Sequence, residues 1–216
     1  MGLLDTLLPP ACAGCGRFGV LLCDACRAAF RPPSDPDDRF VAADAGTVIG
    51  EQVMVAVAAF AYEGPLRKVL QRMKYTGAAR VAAALADASL PALRRLLAIS
   101  GPATLVPVPL HPERERERGF NQAGLLAAAL ARGVSVPARR LLVCGRATTR
   151  QHELDREARL RNLAGAFRVA GTSRPPSVVI VVDDILTTSA TMEVCAGALR
   201  AAGCERAYGF AIAREV

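Results

Sequence analysis

A chain of 216 residues is about one and a half average domains long. That allows one full α/β domain with a small appendage and excludes two full domains. At 52% hydrophobic and 22% charged residues the composition is globular rather than disordered, and the longest apolar run, Val53 to Tyr62, is too short for the roughly 20 residues of a membrane-spanning helix. The net charge of +7 is uneven, because 112–168 holds twelve arginines against six acidic residues and the rest of the chain is almost balanced.

In chain order, Met1 to Pro10 has no basic n-region, and Asp5, Pro9 and Pro10 interrupt any apolar h-region. No secretory leader and no membrane insertion are expected, and the sequence reads as cytoplasmic. Cys12, Cys15, Cys23 and Cys26 then fall within fifteen residues as Cys-x2-Cys-x7-Cys-x2-Cys, while Cys144, Cys195 and Cys204 are scattered. An odd total and paired Cys-x-x-Cys spacing argue against a disulfide framework. Two-residue spacing lets both thiolates of a pair reach one ion from a tight turn, and four thiolates close a tetrahedral structural zinc site. Gly16 would permit the turn that aims backbone N–H groups at sulfur. Redox thiols and an iron–sulfur site are the alternatives. Gly14, Gly16 and Gly19 also spell G-x-G-x-x-G, but no strand precedes them, so a dinucleotide loop fails its context. Arg31 to Asp38 is rich in Pro and Asp and reads as a linker. The expected division is therefore a zinc-knuckle module with its linker over 1–38 and a main domain over 39–216.

The main domain alternates strand and helix signals. Val53 to Tyr62 reads as a buried strand, and Pro65 opens a helix towards Tyr75 that Gly77 closes. Ala78 to Ala98 is helical, Thr104 to Pro109 is a short strand stopped by its prolines, and Asn121 to Ala131 is helical again. Leu141 to Val143 is strand-like and Arg156 to Leu163 helical. Val178 to Val182 is a β-branched strand, Thr191 to Ala202 a helix ended by Gly203, and Ala207 to Ala213 a last strand. This pattern predicts an α/β domain whose sheet is mainly parallel and flanked by helices. Between them, Pro112 to Arg118 alternates charge strictly, either as a salt-bridged helix surface or as a loop that brings guanidiniums to an anion.

The most informative stretch follows the β-branched run. Asp183 and Asp184 end the strand, and Thr187, Thr188, Ser189 and Thr191 surround Ala190 where a helix opens. Hydroxyls and the free N–H groups of a helix start make a phosphate cradle. Two carboxylates beside it would repel phosphate unless they face sugar hydroxyls or a divalent cation, so the chemistry points to a phosphorylated sugar with Mg²⁺. A Walker-B reading fails because neither Lys68 nor Lys74 lies in a Walker-A context. His111 and His152 stand in no metal or triad spacing.

The strand–Asp-Asp–x-x–Thr-Thr–x–Ala-Thr pattern resembles the phosphoribosyl-pyrophosphate (PRPP) motif of type I phosphoribosyltransferases. The whole chain resembles the ComF family, bacterial phosphoribosyltransferase-like proteins associated with competence. The resemblance rests on the cysteine cluster, Tyr62-Glu-Gly-Pro-Leu-Arg67 with Lys74-Tyr-Thr-Gly77, Val106-Pro-Val-Pro109, and Arg118-Gly-Phe-Asn-Gln122. Arg146 with Gln151, Arg159-x-x-Asn162 and Gly165-Ala-Phe167 complete it.

The resemblance implies a type I phosphoribosyltransferase-like fold with a small N-terminal zinc-binding module, and a candidate phosphoribosyltransferase linked to DNA uptake and natural transformation. Asp183 and Asp184 would then hold the ribose 2′- and 3′-hydroxyls, directly or through Mg²⁺. Thr187, Thr188, Ser189, Ala190 and Thr191 would wrap the 5′-phosphate, and Arg118 would neutralise pyrophosphate. Catalysis would rest on charge stabilisation by Asp183, Asp184 and Arg118 rather than on proton transfer. The implied partner is PRPP or another phosphorylated ribose. The alternative is a non-catalytic adaptor in DNA uptake that binds single-stranded DNA or a helicase partner. One departure stands out: the family usually has Gly where this chain has Ser189, and Ser is less free to take positive φ.

Overall fold

The computed structural model describes residues 10–33, 51–75, 78–145, 163, 165–171, 174–187 and 189–215. In chain order its elements are α1 (Asp24–Ala28), β1 (Ala56–Ala61), α2 (Gly64–Arg72), α3 (Ala78–Ser100), β2 (Thr104–Pro107), α4 (Pro112–Arg118) and α5 (Gln122–Val134). They continue with β3 (Leu142–Cys144), β4 (Phe167–Val169), β5 (Val178–Leu186), α6 (Ala190–Ala201) and β6 (Arg206–Arg214).

Five consecutive β-branched side chains suit a strand with no solvent face, and β5 is that strand. It lies inside a four-stranded sheet of order β1-β6-β5-β2, parallel throughout. Its pleat sends Ile180 and Val182 into one core with Leu85, Leu96, Leu126 and Leu130 of α3 and α5. Val179 and Val181 enter a second core with Met192, Cys195 and Leu199 of α6. β6 fits between β5 and β1 because it is built of small residues where the layers meet. A Cβ at Gly209 would stand 2.8 Å from both Ala56 Cβ and Met192 Sδ. The fold is thus an α/β sandwich of helices on both sheet faces, with a small cysteine module at its N-terminal side.

The expected elements recur, with two instructive differences and one open choice decided. β5 runs through Asp183 and Asp184 to Leu186, because Asp183, Ile185 and Leu186 pair with Ala211, Ala213 and Arg214 of the equally long β6. Local sequence hides this, since carboxylates are poor strand formers. The alternating charges of Pro112 to Arg118 form a helix rather than a loop. Pro112 opens it, Glu113 and Glu115 lie in its first turn, Arg116 and Arg118 in its last, and Gly119 closes it at φ 78°; each choice suits the helix dipole or cap. Phe167–Val169 is a strand that the sequence pattern does not announce, and it pairs antiparallel with β3. The expected helix from Arg156 lies outside the described residues except at Leu163, as do Gly77, Arg146, Gln151, Arg159 and Asn162.

The chain leaves β2 and β5 in opposite directions. From β2 it passes through α4 and α5 to Ala138, which bridges Leu105 on the outer side of β2. From β5 it passes through α6 to β6 on the inner side. Neighbouring parallel strands whose connections diverge leave a crevice at their carboxyl ends, and ligands of open α/β sheets bind there. Asp183 and Asp184 lie at that end. No helix among the described residues is long and apolar enough to cross a membrane.

Candidate functional site

Two chemical centres emerge. In the first, the sulfurs of Cys12, Cys15, Cys23 and Cys26 all lie within 4.8 Å of one another. Cys12, Cys23 and Cys26 are buried and Cys15 is exposed. Gly16 takes φ 85° and donates its N–H to the Cys12 carbonyl at 2.8 Å, which closes the first turn. Cys23 donates its N–H to Cys12 Sγ at 3.3 Å. Burial by itself would raise the Cys12 thiol, but N–H groups of Cys15, Cys23 and Gly14 outweigh it and lower it to about 6. Burial and then the three neighbouring sulfurs push Cys26 up to about 12. Four thiolates this close repel one another unless a cation sits among them, and the set matches a closed tetrahedral zinc site. Gly14 makes room for it, because a Cβ there would lie 2.7 Å from Cys26 Sγ. The module is tied to the main sheet by Arg72 Nη1, which donates to the Cys12 carbonyl at 2.9 Å, and by Phe30, whose ring lies 5.2 Å from that of Phe60.

The second centre is the carboxyl end of β5. Strand alternation would send Asp183 and Asp184 to opposite faces. Asp183 Oδ1 instead accepts the backbone N–H of Asp184 at 2.9 Å, which keeps its carboxylate at the strand edge. Burial, and then the charge of Asp184, push the Asp183 carboxyl well above the usual carboxylate range, while the Asp184 N–H pulls the other way. A desolvated acid beside a second acid suits a cation or sugar hydroxyls, both of which relieve the repulsion. Beyond Leu186 the chain turns at Ser189 into α6. Ser189 has φ 66°, in the left-handed region that glycine occupies most easily. Ser189 thus takes a conformation that suits glycine, with backbone strain at this turn. Thr187 is exposed, Ala190 is buried, Ser189 and Thr191 are half-buried, and Thr188 lies outside the described residues.

At and beyond the end of β2 lie Pro107 to Leu110, α4 and β3. A cavity of about 550 Å³ opens among them, lined by Pro107, Pro109, Arg116, Asn121, Arg140 and Cys144 among others; among the described residues, none of β5 or α6 lines it. Arg140 pairs with Glu115 at its edge. Arg118, which the sequence singles out, sits half-buried in the last turn of α4 and lines neither this cavity nor its neighbour around Gly124. Arg116 and Arg140 do line the larger one. Two residues escape sequence reasoning. Glu193 in the first turn of α6 is buried and accepts the backbone N–H groups of Gln52 at 2.6 Å and Val53 at 3.2 Å, pinning the approach to β1. Asn121 is buried, lines both cavities and donates to the Val108 carbonyl just past β2. An acidic residue in a first helical turn and Asn at an N-cap were the available signals, but neither tells which distant backbone group is met.

No family model matches the chain. It is 34% identical over 185 residues to the DNA utilization protein YhgH of Salmonella typhimurium, covering 84% of this chain and 78% of that protein. It is 32% identical over 159 residues to Competence protein F of Haemophilus influenzae, covering 71% and 69%. It is 31% identical over 140 residues to Competence protein ComFC of Bacillus subtilis, covering 65% and 55%.

Three outcomes are expected from these geometries. Metal analysis of the purified protein should find one zinc, and Cys23→Ser should release it; folded protein with no metal at these thiols would contradict the site. Ser189→Gly should stabilise the fold by up to about 1 kcal/mol in denaturant titration, since relief of left-handed strain outweighs the added freedom of the unfolded chain. A destabilised variant would mean that the Ser189 hydroxyl carries a necessary bond. Asp183→Asn tests desolvation through pH. The raised folded pKa makes wild-type stability largest at low pH and erodes it as pH rises through that pKa. The Asn variant lacks this erosion, so its melting temperature should gain on wild type as pH rises above the usual carboxylate range. A constant difference would show that Asp183 is not desolvated.

Proposed function

The chain belongs to the ComF family of competence-related proteins, and from that premise we propose that it is a Mg²⁺-dependent, PRPP-binding phosphoribosyltransferase-like protein serving DNA uptake. The observation that carries this reading is the half-buried pair Asp183 and Asp184 side by side at the carboxyl end of β5, followed by the left-handed turn at Ser189 into α6.

Each part has a role that its position suits. Asp183 and Asp184 would hold the ribose hydroxyls or Mg²⁺; the bound ion would neutralise the acidic pair and the diphosphate of the ligand. Thr187, Thr188, Ser189, Ala190 and Thr191 would take the 5′-phosphate, with the amino end of the 12-residue α6 aimed at its charge. As pyrophosphate departs, the ribose C1 becomes cationic. The carboxylates at the strand end then stabilise C1, while arginines beyond β2 stabilise the leaving group. Arg118 is joined in that second role by Arg116 and Arg140, which line the cavity beyond β2. No proton donor or acceptor is required at the reacting centre.

A second reading, an adaptor that binds single-stranded DNA or a helicase partner, has one observation in its favour. Phe18 and Tyr75 are 74% and 72% exposed, and the exposed cations Arg17, Arg27, Arg67 and Lys68 lie on the same cysteine module and α2. Exposed rings among cations suit base stacking.

Calorimetry with PRPP decides between them. Binding should be measurable and should tighten with Mg²⁺. Asp184→Asn should keep the fold and cost about 1.5–3 kcal/mol of Mg²⁺-dependent affinity, or about ten- to a hundredfold. No heat at millimolar PRPP with Mg²⁺ would remove the first reading and leave the adaptor.

A further inference from the structure

The pairing of β2 with β5 stops abruptly, and a side-chain amide stands where it stops. Parallel register runs from Thr104 opposite Val179 to Pro107 opposite Val182. One more bond follows, from Val108 N–H to the Val182 carbonyl at 2.9 Å. In a parallel ladder, a residue that donates to one carbonyl accepts from the N–H two residues further along the partner. For the Val108 carbonyl, that N–H belongs to Asp184. Here the Val108 carbonyl is held instead by Asn121 Nδ2 at 2.9 Å, and the Asp184 N–H goes to Asp183 Oδ1 at 2.9 Å. Both groups that would have zipped the strands one step further are satisfied elsewhere, so no buried polar group is stranded.

Asn121 is 6% exposed and does two jobs with one amide. Its Oδ1 caps α5 by accepting the Gly124 N–H at 3.3 Å, while its Nδ2 reaches across to β2. Capping alone does not call for an amide, since Asp and Ser cap as well. Asp has no donor when ionised, and the Ser hydroxyl is too short to cap α5 and reach β2 together. The bond to Val108 is what asks for Asn.

We propose that Asn121 is a positioning residue that holds the ligand crevice open: by occupying the Val108 carbonyl it ends the β2–β5 ladder at Val182 and leaves the Asp183–Asp184 edge turned to the ligand. The ligand's identity rests on the PRPP reading above; the wedge itself does not.

The test uses Asn121→Asp and Asn121→Ser in the full chain, both of which keep the helix cap. Residue-resolved amide exchange reads the wedge directly. In both variants Asp184 N–H should pass to the freed Val108 carbonyl and exchange about tenfold or more slowly than in wild type. PRPP affinity with Mg²⁺ should fall about tenfold in both; Asn121→Asp should also melt lower, because it buries a carboxylate against the Val108 carbonyl, while uncharged Asn121→Ser should melt close to wild type. Unchanged exchange at Asp184 overturns the proposal, whatever happens to affinity. Slowed exchange with full PRPP affinity also overturns it, because the open crevice would then not serve the ligand. A loss of affinity confined to Asn121→Asp reports only the added charge and overturns it too. If wild type binds no PRPP, the reading of the function fails and the exchange of Asp184 alone decides the wedge.

Discussion

A strand buried on both faces has nowhere to put a charge except at its ends. β5 meets that constraint at its limit, with Val179, Ile180, Val181 and Val182 fully buried and two carboxylates directly after them. The pairing with β6 carries the strand past those carboxylates to Leu186, so both acids stay half-buried on the sheet instead of escaping into a loop. That cost is tolerated because the rest of β5 holds the two cores together. Two like charges held side by side where a parallel sheet opens are the kind of strain that functional sites keep.

The crevice follows from two further departures from regularity. On the β2 side the ladder gives way to the amide of Asn121, and the strand end bends into the proline-bounded approach to α4. On the β5 side the turn into α6 holds Ser189 in a left-handed conformation. Ser135 and Ser189 are the two non-glycine residues with positive φ among the described residues, and Ser189 sits at the proposed phosphate end. Regular pairing on either side would narrow the opening; irregularity is confined to the place where a ligand needs room.

The cysteine module is bound to the same frame. Its first turn is held by Arg72 of α2, and Ala61 at the end of β1 donates its N–H to the Arg31 carbonyl at 2.9 Å. Ala13, Leu22 and Phe30 pack on the core shared with α3 and α5. A metal in the four-thiolate cage would thus brace the edge of the sheet, while taking no part in chemistry at the opposite edge near β2. The cage has four ligands and no open position, which suits that purely structural part.

The sequence alone determined what depends on local pattern. Cysteine spacing located the four-cysteine cage, the β-branched run located β5, and the Asp-Asp-x-x-Thr-Thr order located the acidic edge, because each signal spans only a few neighbouring residues. The left-handed turn was legible as a question, through Ser189 in a glycine's place. Tertiary structure decided everything that joins distant segments. It carried β5 through its carboxylates, set Asn121 against Val108, brought Glu193 to Gln52 and Val53, and placed Arg116 and Arg140 on the cavity wall that Arg118 does not line. The physical reason is that a strand's length depends on its partner, and a buried polar group's partner can lie anywhere in the chain. Local pattern records which groups need satisfying; only the packed fold selects what satisfies them.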